Sequence, residues 1–429
     1  MKNSLPYVVV IDIDHINGLQ TARIFTDRKI KVIGIAKDLK HYCARTKVCE
    51  RIIKSNTKTE ELVDTLTSIG DTFEQKPLLI PSQDTSVLLV SRNREKLESF
   101  YKIALPSKDV VEMLMDKPQF FEFATRENLP IAKYFLVKNR SEAENAMDNL
   151  NFPCIIKPPI KSPLWEANTK IKAYKVHDED EYLKIYDMCS PWADVLMAQE
   201  WIEGTDVDLY SCNCYFNNKN ESLVNFIAKK LRQYPPVTGN TSLGIECRAD
   251  EVRDASLELF RKVNYHGLGY VELKRDINTG KYYMIEPNIG RPTGRSALAE
   301  AAGVEILYTM YCDIFGLPLP KDVEQKYNDV KWIQIRTDLM SAFYYWKNGE
   351  LTIKDWYKSI KGKKFYAVYS LKDPLPFIAE IGTAFKVIFS MIFSNSKDSA
   401  SKSEQKSDGK PGKKSEDSVE KKSGEKVAL

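Results

Sequence analysis

The sequence predicts an α/β protein built from an N-terminal parallel-sheet unit, a mixed α+β region and a small C-terminal extension. Three observations carry that prediction. Residues 5–105 alternate short β-branched runs with helical patterns, which marks βαβ units on a parallel sheet. Beyond Leu105 the texture changes to helices and then to further strands, ending in a hairpin around Asn278-Thr279-Gly280. The last 35 or so residues are Ser, Lys and acid with almost nothing to bury, and are expected to be disordered. The expected divisions are 1–105, 106–320, 321–395 and a tail at 396–429.

In the first unit "YVVVID" (from Tyr7), "KVIGIA" and "PLLIPS" read as strands, with "NGLQTARIFTDR" and "TEELVDTLTSIGDTF" as helices between them. Gly18 lies where a strand turns into a helix, a place that can receive an anion, although a plain strand-to-helix turn is the better reading of one glycine. "LPSKDVVEMLMDKPQFFEFATRENLP" is helical, and "YFLVKN" and "FPCIIKPP" are strands flanking the helix "SEAENAMDNL". "DVLMAQEWIEG" and "DVDLYSCNCYF" are strands on either side of Gly204, and 296–315 reads as one helix.

Length and composition bound the function. The 429 residues allow two or three domains with proper cores, and a 43% hydrophobic fraction is that of a globular chain. With 63 basic and 59 acidic residues the net charge of +4 gives no argument for nucleic acid as a partner. Eight scattered cysteines and four histidines speak against a zinc site and for reduced thiols in the cytoplasm. The N-terminal apolar run is too short for a signal-peptide core, and no run before 370 is long enough to span a membrane.

The chemistry-bearing residues begin at the hairpin. Reflecting Glu272 across the turn lands it close to Glu286, and Asn288, two residues on, shares that face. Two carboxylates and an amide oxygen on one face form a hard-oxygen site suited to magnesium bridging phosphates. For a hairpin standing alone, solvent-facing carboxylates would be the better reading. Lys157, however, ends a strongly apolar strand, and Lys117 opens a helix where its charge opposes the helix dipole. Both are explained by an anionic ligand, although Lys117 alone reads equally as structural. "AQEWIEGTDVD" is a strand edge whose backbone could hold an adenine, with a carboxylate for the ribose, or simply two strands and a turn.

Taken in order, "MDK", "CIIKP", "MAQEWIEGTDVD", "GYVELKRD" and "YMIEPNIGRPTGR" resemble the ATP-grasp superfamily, from about residue 105 to 318. The sequence looks most like the carboxylate–amine ligase branch, to which D-aspartate ligase belongs. The resemblance implies a Rossmann-like preATP-grasp domain, then a two-lobed ATP-grasp domain with a lid lobe at about 131–198. It implies that Lys117, Lys157 and Lys172 contact ATP phosphates. Gln199 and the backbone of Glu200 and Ile202 would hold adenine, and Asp206 the ribose. Glu272, Glu286 and Asn288 would bind two magnesium (or manganese) ions, and Arg291 or Arg295 would steady the transferring phosphoryl group. One departure stands out: the stretch after Lys157, "PPIKSPLWEANTKIKAY", has no glycine where many such enzymes carry a glycine-rich phosphate loop. Side chains such as Lys161, Lys170 and Lys172 would then have to build the lid.

The implied reaction joins a small-molecule carboxylate to an amine through an acyl phosphate, releasing ADP and phosphate. "AKKLRQYPPVTGNTS" is the segment expected to face substrate, with Lys230 and Arg232 alternating on one strand face. A carboxylase-like enzyme using bicarbonate and a non-catalytic ATP-binding scaffold remain as alternatives. Residues 375–394 are apolar with helical spacing, consistent with core packing, with contact at the inner face of the membrane, or with self-association into a homo-oligomer.

Overall fold

The structure, a computed structural model, describes residues 5–383 apart from 160, 161, 238 and 322. The tail after 396 and the second half of the 375–394 segment therefore lie outside the described residues, as does Lys161. Three sheets organise the chain. The first is five-stranded and parallel, ordered Arg51–Lys54, Val32–Ala36, Val8–Ile11, Leu78–Ile80, Lys102–Ile103. Its three central strands read as continuous apolar runs because both faces are covered. Val9 and Ile11 join one core with Leu62, Leu66 and Val87, while Val8 and Val10 join another with Leu19, Ala22 and Phe25.

Gly18 lies in the first turn of the helix Ile16–Asp27. A Cβ there would come within 2.3 Å of the Asp12 carbonyl oxygen, so the glycine serves the close packing of helix on strand end.

The second sheet is antiparallel and four-stranded, ordered Tyr134–Val137, Leu196–Glu200, Cys154–Lys157, Tyr174–Val176. It has its own core around Trp165, Tyr182 and Tyr186. Between Lys157 and Tyr174 the chain forms the short helix Pro163–Asn168, capped by Ser162. Trp165 on that helix is buried, and its indole N–H donates to the Ile171 carbonyl (3.1 Å). From Ser162 on, the glycine-free stretch is thus a pinned helix and loop.

The third sheet has seven strands, ordered Tyr282–Ile289, Gly267–Arg275, Leu209–Phe216, Ser222–Tyr234, Asn240–Glu246, Lys331–Ile333, Lys364–Tyr366. All neighbours are antiparallel except the last pair. The final two strands come from the aromatic-rich region after 321, which therefore extends this sheet. That region also reaches back to the first unit, where the buried Arg23 Nε donates to Asp373 (3.0 Å). The single helix read over 296–315 is two helices, Gly294–Ala302 and Ile306–Ile314. Gly303, left-handed at φ +92°, caps the first, and Val304 and Glu305 link it to the second. The described part of the apolar segment is helical over 375–383, with Glu380 buried and Ile378 and Ile381 exposed.

Candidate active site

A cavity of about 830 Å³ opens between the second and third sheets, with one wall from the first unit. Twelve of the fourteen residues picked from the sequence line it, and Asp206 and Arg232 do not. The hairpin supplies the floor. Glu272 and Glu286 are direct cross-strand partners, and Asn288 faces Tyr270 two pairs further along, on the same face. An irregularity after Glu272 leaves Ile285 unpaired, yet the three oxygen-bearing side chains still reach the same cavity. The strand ends at Gly290 with φ +67°, where a Cβ would meet Leu105 at 2.1 Å. That turn brings Arg291 back onto Asn288 Oδ1 and across to Asp84 of the first unit.

Each of the three oxygen donors holds a cation. Lys230 Nζ lies 3.0 Å from Glu272, Lys117 Nζ lies 3.4 Å from Glu286, and Arg291 donates to Asn288. Burial pushes the Glu272 carboxyl up, but Lys230 and Arg295, with hydrogen bonds from Tyr270 and Lys230, more than offset it and hold the group below the usual carboxylate range. Among the described residues no three His, Cys, Asp or Glu side chains converge, because the third donor is an amide. Two carboxylates and an amide oxygen remain a hard-oxygen set that fits magnesium. The cations now seated on them occupy the positions a metal's charge would take.

Eight Lys and Arg side chains line the cavity against four carboxylates, an excess suited to a polyphosphate. Lys157 is half-buried at its strand end, and its ammonium donates to Gln199 Oε1 (3.1 Å). Burial first, then the neighbouring Lys117 charge, lowers its pKa to about 8, with Glu286 opposing. This carries a pH prediction. The penalty on the ammonium is complete below pH 8 and is relieved between about 8 and the ordinary lysine value, so ligand-free stability gains from this group as pH rises through that window. A bound phosphate reverses the preference, so MgADP binding at pH 8.5 should take up a proton and weaken as pH rises. Calorimetry in buffers of different ionisation enthalpy reads that uptake. It should disappear in Lys157→Met, and proton release on binding would contradict the assignment.

Beside Lys157 and Gln199 the cavity is lined by the apolar side chains of Ile155, Trp201, Ile202 and Leu209. The Glu200 N–H is bonded to the Lys133 carbonyl (2.9 Å) and that of Trp201 to Pro153 (3.0 Å), whereas Ile202 N–H meets no acceptor among the described residues. Glu200 lines the cavity, and its carboxylate accepts from Asn151. Lys172 also lines the wall, while exposed Lys170 does not. Arg295 sits near the start of the helix Gly294–Ala302, buried, with its Nε unpartnered among the described residues.

Two expectations need correction. Asp206 is buried and spent on structure, accepting from Gln233 Nε2 (2.6 Å), Gln233 N (3.1 Å) and the Tyr345 hydroxyl (2.6 Å). It does not line the cavity. Lys230 and Arg232 do not share a face, because Leu231 is bulged: Lys230 pairs with Gly244 and Arg232 with Leu243. Lys230 turns into the cavity, while Arg232 forms a buried two-pronged pair with Asp338 (2.8 and 3.0 Å).

Sequence reasoning passed over Lys274, Tyr270, Trp201, His15 and Asp84, all of which line the cavity. The first two were available from strand alternation, since Tyr270, Glu272 and Lys274 are spaced by two. His15 and Asp84 follow the adjacent strands Val8–Ile11 and Leu78–Ile80, where the strand order reverses direction, the usual ligand crevice of a parallel sheet.

No protein-family model matches the chain. A D-aspartate ligase of Enterococcus faecium (strain Aus0004) is 21% identical over 234 residues, 52% of this chain and 55% of that one, so the chain spans about half the length of that curated relative. Among solved structures, N5-carboxyaminoimidazole synthetase of Staphylococcus aureus superposes with a TM-score of 0.58 at 15% identity, covering 75% of this chain and 81% of that one. Phosphoribosylglycinamide synthetase of Anaerococcus prevotii gives 0.57 at 16%, covering 73% and 75%. Biotin carboxylase of Campylobacter jejuni gives 0.57 at 14%, covering 73% and 72%. The shared arrangement of a parallel sheet, a small antiparallel sheet and a large antiparallel sheet around one cavity is the fold of the ATP-grasp superfamily, and this chain has that fold.

Proposed function

We propose that the protein is an ATP-dependent ligase that joins a carboxylate to an amine through an acyl phosphate. The observation that carries this is the Glu272–Glu286 pair with Asn288, set in one cavity with Lys117, Lys157 and Arg295. The adenine lies in the slot of Ile155, Trp201 and Ile202, where the unspent Ile202 N–H can donate to a ring nitrogen. Lys157 and Lys117 meet the phosphates, and Lys172 approaches from the lid side. Magnesium held by Glu272, Glu286 and Asn288 supplies neutralisation of phosphate charge when bound.

Phosphate binding draws Lys117 off Glu286, and the half-exposed pair gives it up at little cost. Arg295, with a buried N–H to spare, is placed to hold the equatorial oxygens of the transferring group. A substrate carboxylate oxygen attacks the γ-phosphorus and ADP leaves. The amine nitrogen then attacks the acyl carbon, phosphate leaves, and the amine gives up a proton. Catalysis by positioning and charge requires no side-chain nucleophile.

The likeness to D-aspartate ligase supports an amino acid or a similar small acid as the carboxylate. Purified protein with MgATP and pooled acids and amines should release phosphate only when both an acid and an amine are present. Release driven by bicarbonate without an amine would instead indicate carboxylase chemistry. MgADP binding with no release from any pool would make the protein a nucleotide-binding scaffold.

A further inference from the structure

The helix Ile335–Lys347 is amphipathic in the reverse of the usual sense. Asp338, Ser341 and Ala342 are its buried side, held on the large sheet through the Arg232–Asp338 pair and the Ser341 hydroxyl bonded to the Gln233 carbonyl (2.9 Å). Its outer side carries Leu339, Met340, Phe343, Tyr344 and Trp346, all exposed, with Phe343 at 62%. The spacings 339, 343, 346 and 340, 344 place these on two adjacent helical stripes. Phe343 and Trp346 rings lie 5.8 Å apart.

The next helix, Ile353–Ile360, has no buried residue and is pinned alongside, with Trp356 Nε1 donating to Asp338 (3.1 Å). It adds exposed Ile353, at 69%, and Tyr357 to the same region of the surface. A cluster of this size on two neighbouring helices is unusual for a surface with nothing covering it.

The charges around the cluster select the partner. Lys347, Lys354, Lys358, Lys361 and Lys363 are exposed, against two exposed carboxylates, Glu350 and Asp355, over 347–363. A second copy would bring an equally basic rim against this one and be repelled. An anionic lipid surface meets both features. Lysines pair with headgroups, and tryptophan and tyrosine sit at the boundary between headgroup and hydrocarbon.

We propose that the face formed by Ile335–Lys347 and Ile353–Ile360 is a docking surface for an anionic membrane, which would hold the enzyme at a bilayer. Among the described residues no helix is long and apolar enough to cross one.

The test is co-sedimentation of the full chain with vesicles of mixed phosphatidylcholine and phosphatidylglycerol, and with phosphatidylcholine alone. The wild type should pellet with the anionic vesicles, bind pure phosphatidylcholine at least tenfold more weakly, and lose binding in high salt. The Phe343→Glu/Trp346→Glu variant, which leaves 384–394 untouched, should bind anionic vesicles at least tenfold more weakly. Thermal stabilisation by MgADP checks that the variant is folded. Wild-type protein left in the supernatant would overturn the proposal, as would a folded variant that binds as well as wild type. Light scattering that shows a wild-type dimer converted to a monomer by the variant would assign the face to self-association instead.

Discussion

Replacing Glu286 with glutamine should lower phosphate release from MgATP by on the order of 10²–10³-fold while leaving the fold intact. The argument rests on what Glu286 does in the ligand-free protein. Its one ionic partner among the described residues is Lys117 at 3.4 Å, and both side chains are nearly half exposed. Such a pair contributes about 0–1 kcal/mol, so its loss should leave thermal stability within a few degrees of wild type. Glutamine keeps the shape and one carbonyl oxygen but removes the negative charge that the magnesium site requires. The defect should therefore appear in turnover, and in the magnesium concentration needed for it. A Glu286→Gln protein that turns over at the wild-type rate would remove this residue from the metal site. Glu272→Gln is a poorer probe. Glu272 is buried against Lys230, so its neutralisation would leave a buried ammonium without its carboxylate and confound stability with activity.

The difference between these two carboxylates shows what a sequence does and does not reveal. That Glu272 and Glu286 face each other follows from counting along a hairpin with a recognisable turn, and the pairing is the one the alternation of side chains dictates. Lys117 and Lys157 were legible for a similar reason: each sits at the end of an element, where a charge is conspicuous. The parallel sheet of the first unit was legible because both its faces are covered, leaving runs such as Val8–Ile11 with no polar residue.

What failed depended on local departures from regularity. One bulged residue, Leu231, separates Lys230 from Arg232, and nothing in "KKLRQY" announces it. Asp206 lies beside a turn that looks suited to a ribose, but its lone pairs are claimed by Gln233 and by Tyr345, which is 139 residues away. Partners so distant in sequence cannot be inferred from spacing. The aromatic-rich region after 321 was opaque for the same reason, since its two short strands acquire a role only by joining the edge of a sheet laid down earlier.

That region supplies the second large effect, at Arg232 and Asp338. The guanidinium meets the carboxylate through both Nε and Nη2, and donates through Nη1 to Ser359 (2.7 Å), with both ionic side chains at 5% exposure or less. Asp338→Ala would leave a buried arginine with a single hydroxyl partner, a loss of about 3–5 kcal/mol. Arg232→Met should cost a comparable amount, because among the described residues the carboxylate would keep only the Trp356 indole. The double variant Arg232→Met/Asp338→Leu removes both charges and should recover part of that loss, because no unpaired ion remains buried. Denaturant unfolding of the four proteins measures the coupling. MgADP affinity should stay within about twofold of wild type in any variant that folds, since a pair outside the cavity lends the phosphates little through solvent-screened distance. A substrate-binding arginine would behave in the opposite way, with stability little changed and the substrate KM sharply raised. A flat stability cycle with a raised KM would therefore restore Arg232 to the site and require the Ser222–Tyr234 strand to lose its bulge when substrate binds.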